Sequence, residues 1–132
     1  ITSVQINSGN PNYTADENYL YNKDKTKIIR TLKDNVVINI PEGIVEIGDN
    51  AFHNNMATSI IIPPSVKKIG GCFNYSMNLR QIEIPSTVEE LSENAFSHSD
   101  NLTEIRIHKP KGSLVGSPFG CPYGERAIIW DP

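Results

Sequence analysis

The sequence is poor in the features that define several large protein classes. Its 132 residues hold only two cysteines, too few for a scaffold built on several disulfides. Apolar runs are short, as in Ile60 to Ile62, against the roughly 20 residues that a membrane-spanning helix needs. Charge of neither sign dominates: 12 basic and 15 acidic residues leave a formal charge of -3. No basic field is therefore available to draw the chain onto nucleic acid or an anionic membrane surface. An initiator Met, a basic n-region and an apolar h-region are also missing, and Ile1 to Ile6 already alternates like a strand. The expectation is a fragment of a longer precursor, of a length that suits one domain with a continuous core.

Chemistry-bearing motifs are equally scarce. His53, His98 and His108 occur in no CxxC, HxxxH or HExxH spacing, so no metal site is expected. Ser97-His98-Ser99-Asp100 contains the residue types of a hydrolase triad, but neighbours in sequence do not adopt the geometry of a nucleophile and its base. Asn22 to Thr26 lacks the Gly and distal Glu of a calcium-binding EF-hand loop and carries two Lys; it reads as a hairpin turn. With no convergent acid, base, nucleophile or phosphate loop, no catalytic or cofactor-binding residue is nominated, and the chain is not expected to be an enzyme.

What the sequence does contain is a repeat. Ile-Pro recurs at Ile40-Pro41, Ile62-Pro63 and Ile84-Pro85, and Ile107-His108 and Trp130-Asp131 continue the series at a spacing that never varies by more than one position. Two positions earlier stand Ile38, Ile60, Ile82, Ile105 and Ile128; seven later, Ile47, Ile69, Leu91 and Leu114; and Phe52, Phe73, Phe96 and Phe119 form an aromatic column. One coil of this length cannot shield its own apolar face, whereas stacked copies turn each column into a buried ladder. Alternation in Ile82-Glu83-Ile84 and Ile105-Arg106-Ile107 marks a strand with one buried face, and the following Pro ends it by removing a ladder donor. The Asn-Ala-Phe segments are expected to bring the chain back as short helical or 3₁₀ turns.

The fold class predicted is therefore a right-handed, mainly β solenoid with a parallel ladder of strands ending at Ile6, Ile40, Ile62, Ile84, Ile107 and Trp130. The longer interval from Ile6 to Ile40 is explained by a hairpin: Tyr19-Leu20-Tyr21 and Lys27-Ile28-Ile29 flank the polar turn. The single domain then divides into a long first repeat over 1–39, three short repeats over 40–107 and an irregular terminal repeat over 108–132.

Ile-Pro-x-x-Val-x-x-Ile-Gly-x-x-Ala-Phe, as in Ile40 to Phe52, followed by Asn-Leu-x-x-Ile-x-Ile, as in Asn78 to Ile84, resembles the BspA-like leucine-rich repeat, also called the Treponema pallidum type. Gly9 to Tyr13 with Tyr19 to Thr26 is similar to that family's longer repeat, and Gly116 to Gly120 through Trp130 to its terminal repeat. The resemblance implies a cell-surface or secreted protein of a host-associated bacterium or protozoan, and a partner among host extracellular-matrix or cell-surface proteins; it brings no catalytic residues. Departures fall at Gly71-Cys72-Phe73, one residue short, at Met56-Ala57, where Ala replaces Leu, and at Lys111.

Several finer expectations follow from the register. Cys72 and Cys121 lie two coils apart, roughly 10 Å at ~4.8 Å per strand, beyond the ~7 Å limit for a bridge, so two buried, unpaired thiols are expected. Glu46, Lys68 and Glu90 are spaced one repeat apart and should place a Lys between two carboxylates on the wall opposite the strands, with Lys67 and Glu89 repeating the pattern. Sequons at Asn12, Asn74 and Asn101 matter only in a eukaryotic secretory pathway. The candidate protein-binding face consists of outward columns on the strands: Gln5, Asn39, Ile61, Glu83, Arg106 and Ile129, with Gln81 and Glu104 beside them. Glu83 and Arg106, on adjacent coils, can pair with each other, present a dipolar patch and still exchange partners with a ligand. The alternative to a binding module is a passive stalk that presents other domains.

Overall fold

In the computed structural model, residues 12–114 and 128–132 are described. The expected stack of coils is present, and the coils lay strands on two opposite walls. Three antiparallel strands open the fold: β1 (Tyr13–Ala15), β2 (Tyr19–Asn22) and β3 (Lys27–Thr31). The Asn22 side chain holds the turn between β2 and β3, accepting from the Thr26 and Lys27 amides at 2.8 and 3.0 Å, while Lys25 takes a left-handed φ of 60°. The hairpin was legible in the sequence; β1, which pairs with its outer edge, was not.

β3 is also the first rung of the rear wall. It pairs in parallel with β5 (Glu46–Ile47), which pairs with β7 (Lys68–Ile69), which pairs with β9 (Glu90–Leu91). On the opposite wall stand β4 (Val37–Asn39), β6 (Ser59–Ile61), β8 (Gln81–Ile84), β10 (Glu104–Ile107) and β11 (Ile128–Trp130). β4 pairs with β6, and β8 with β10 and β10 with β11, all parallel and in the predicted register. The strand ending at Ile6 and the ring of Phe119 lie outside the described residues.

Between the walls the apolar columns are buried among the described residues, with Trp130 only partly so. Phe52, Phe73 and Phe96 are no more than 1% exposed and stack with centroids 5.4 and 5.7 Å apart and ring planes within 21°. Tyr19 closes the end of this column edge-on to Phe52 at 5.7 Å. Cys72 is buried and unpaired, as expected, and burial pushes its thiol pKa well up; Cys121 lies outside the described residues. In place of the expected helical or 3₁₀ segments, the Asn-Ala-Phe returns are tight turns closed by bonds such as Ala51 N–H to Gly48 O (3.2 Å) and Ala95 N–H to Ser92 O (3.1 Å), with no helix among the described residues. Ile-Gly before the return has a steric reason, since a Cβ on Gly70 would lie 2.5 Å from an Asp49 carboxylate oxygen.

A polar column that the periodicity did not single out stands three positions beyond each Phe. The buried Asn55 side chain donates to Phe52 O and Ser76 Oγ, both at 2.7 Å, and accepts from Ala57 N–H at 3.0 Å. Ser76 bonds to Phe73 O, and Ser99 accepts the Ser76 amide and donates to Phe73 O at 3.0 Å. The column satisfies backbone groups that the turn would otherwise bury without partners. Ser99, one of the two serines in the run Ser97 to Asp100, is thereby committed to structure.

The expected unbroken strand ladder is corrected at one step: no hydrogen-bonded pairing joins β6 to β8. The cause lies in the turns that feed them. Phe52 is followed five positions later by Ala57, whereas Phe73 and Phe96 are followed six positions later by Leu79 and Leu102. All three side chains are fully buried. An extra residue and a bulkier side chain stacked on a methyl group splay the two coils on this side, because a close-packed interior cannot absorb the volume in place.

Candidate strand-face binding groove

Alternation along the strands presents one outward column. Asn39, Ile61, Glu83, Arg106 and Ile129 occupy equivalent positions on successive coils, with Val37, Ser59, Gln81 and Glu104 in the column beside them. Ile61 is 52% exposed, a large apolar side chain set among polar neighbours. Where β6 and β8 part, the face sinks into a groove of about 750 Å³. Ile61, Gln81, Glu83, Glu104 and Arg106 line it, together with Thr58, Ser59, Pro85 and His108. Asn39 and Ile129 share the face but flank the groove, and Gln5 lies outside the described residues.

Glu83 and Arg106, which can pair, do not do so on this face. Glu83 and Arg106 are in register, yet Arg106 turns to Glu104 at 3.3 Å and to Asp131 at 3.2 Å. Its guanidinium pKa is raised, first by the hydrogen bond to Asp131 and then by the charge of Glu104. Two carboxylates on its own strand and on the next coil outcompete a single one on the preceding coil. Glu83 is instead met by His108, whose Nε2 lies 2.8 Å from its carboxylate. His108 is the groove residue that sequence reasoning missed, and the signal was there: it replaces the Pro that follows the strand in the three preceding coils.

The rear wall carries its own ion pairs, Lys27–Glu46 at 3.4 Å, Lys67–Glu89 at 3.8 Å and Lys68–Glu90 at 3.6 Å. Glu46, Lys68 and Glu90 stand in one register column as expected, but Lys68 pairs with Glu90 while Glu46 is met by Lys27 of the hairpin. A smaller hollow of about 320 Å³ lies on this wall beside Lys68, Gly70 and Glu90.

The three histidines do not converge. His53 and His98 flank Tyr75 in a surface ring column, at 5.2 and 4.7 Å between centroids, and His108 is on the strand face. Among the described residues no three His, Cys, Asp or Glu side chains are placed to hold a metal ion. No helix there is long and apolar enough to cross a membrane.

A regular wall of outward side chains with a groove across it suits recognition of another molecule, and solenoids of stacked repeats use such surfaces for binding. Among solved structures, a leucine-rich repeat protein from Eubacterium ventriosum superposes with a TM-score of 0.82 over 98% of this chain, at 21% identity. The chain spans 36% of that protein's length. No curated protein matches. The BspA type leucine-rich repeat matches in six copies over residues 15–119, and the chain belongs to that family.

Proposed function

We propose that this chain is an extracellular protein-interaction module of a cell-surface or secreted protein, adhering through its strand face to a host matrix or cell-surface protein. The observation that carries the reading is the groove at the β6–β8 step, which gathers Ile61, Gln81, Glu83, Glu104 and Arg106 into one concave surface. Parallel strands hold these side chains on a rigid backbone, so a partner docks with little loss of conformational freedom. An exposed Ile ringed by charged and amide groups is the arrangement of an interface centre with a polar rim.

The test is direct binding of the immobilised chain to purified extracellular-matrix proteins, followed by two double variants whose folding is checked by thermal melting. Ile61→Lys with Glu83→Lys should weaken binding at least about fivefold, the loss that defines an energetically important interface residue. Lys67→Glu with Lys68→Glu, on the rear wall, should leave it within about twofold. Loss only in the second variant would move the site to the rear wall, and loss in neither would favour a passive stalk.

A further inference from the structure

We infer that the groove at the β6–β8 step selects an extended segment of the partner that carries an apolar side chain and, two residues further along, a Lys or Arg. This rests on the strand-face reading and adds the chemistry of what is bound. The two ends of the groove differ. On the β6 side Ile61 is 52% exposed. On the β8 side the Glu83 side chain is 70% exposed and its ionic contact is with His108.

The charge count fixes the sign. Of the residues that line the groove, Glu83 and Glu104 are carboxylates against the single guanidinium of Arg106, which a third carboxylate, Asp131 outside the lining, also holds. Arg106, held between two carboxylates, has no positive charge to spare for an acidic partner. The other cations of this region do not line the groove: Arg80 is outside it, and Lys109 is turned away to donate to Val88 O at 2.7 Å.

Spacing sets the register of the ligand. Ile61 and Glu83 stand in equivalent outward positions on adjacent coils, across a step that no ladder hydrogen bond closes but whose strands keep Cα atoms within 8 Å of each other. In an extended chain, side chains two residues apart lie on the same side about 6.6 Å from one another. A segment running along the solenoid axis, across the strands, therefore sets an apolar residue on Ile61 and its second neighbour's ammonium or guanidinium on Glu83.

The probes are two fluorescein-labelled nonapeptides of Ser and Thr with Leu-Ser-Lys or Leu-Ser-Glu at the centre, titrated with the chain and read by fluorescence anisotropy. The Lys probe should bind at least fivefold more tightly than the Glu probe, and raising the salt from about 50 to about 300 mM should weaken it, because exposed charges are screened. Glu83→Gln should abolish the preference, whereas Glu46→Gln on the rear wall should not. Equal binding of the two probes, no binding of either, or the same loss in Glu46→Gln would each overturn the inference. If binding of a matrix protein is lost on Ile61→Lys with Glu83→Lys while the Lys probe fails, the face stands and the partner chemistry falls.

Discussion

At the scale of single residues, the fold is governed by columns in which each side chain touches its own equivalent one coil away. Phe73 sits between Phe52 and Phe96 with no exposed surface, so truncating it opens a cavity bounded by two other rings. Phe73→Ala should cost about 3–5 kcal/mol in urea unfolding; a much smaller cost would mean the column is not packed as described. The ring column was legible because a large apolar residue at a constant phase has one explanation in a stack. The Asn55, Ser76 and Ser99 column was not, because Asn and Ser in a turn read equally well as solvent-facing residues, and only the closed backbone around them shows that they are buried.

Among the elements, the hairpin over β2 and β3 does more than lengthen the first repeat. Its aromatic residues cap the core: Tyr21 donates to Asp16 at 2.6 Å, and Tyr19 donates to Asn39 O at 3.0 Å. Burial raises both phenol pKa values, with the Asp16 charge adding to the effect; Tyr19 is pushed up to about 12 and Tyr21 further. A folded-state pKa above the unfolded value of about 10 gives stability that is fully present below pH ~10 and lost as pH rises through the folded value. Following phenolate absorbance, two of the five tyrosines should ionise only near pH 12 or above, together with loss of the hairpin. Titration of all five near the unfolded value would contradict the capping role. Asp16 behaves in the opposite sense. Burial alone would raise its pKa, but hydrogen bonds from Tyr21, Tyr19 and Asn18 and the charge of Lys25 lower it. Its contribution is present above pH ~4 and lost as pH falls through the folded value.

Across the whole molecule the two walls differ in continuity. The rear wall runs from β1 to β9 as one six-stranded sheet, whereas the strand face is divided into β4–β6 and β8–β10–β11. Hydrogen exchange should report the difference, since amide protection depends on ladder bonds that must open. Amides of β10, paired on both sides, should exchange most slowly on the strand face, and those of β6 and β8 that face the step should be the fastest of its strand amides. Uniform protection across β4 to β11 would show that the ladder closes in solution and that no groove persists. The same discontinuity supports the functional proposal: an unbroken sheet would offer a flat face, and the step turns it into a concave one.

The architecture could be read from the residues alone. A short, near-constant period with apolar columns in phase admits one solution, because the columns can be buried only against copies of themselves. The strand registers, the core and the outward identity of Asn39, Ile61, Glu83, Arg106 and Ile129 all follow from that period and from alternation along each strand. What happens between coils emerges only in three dimensions. A difference of one residue in a turn, with Ala57 set against Leu79, looks in the sequence like a local irregularity; once the coils stack, it is amplified into a break in the sheet and a groove. Charge pairing belongs to the same level. Register brings Glu83 and Arg106 side by side, but partner choice depends on which carboxylates a long side chain can reach, and Asp131 and Glu104 lie within reach of Arg106 while His108 reaches Glu83.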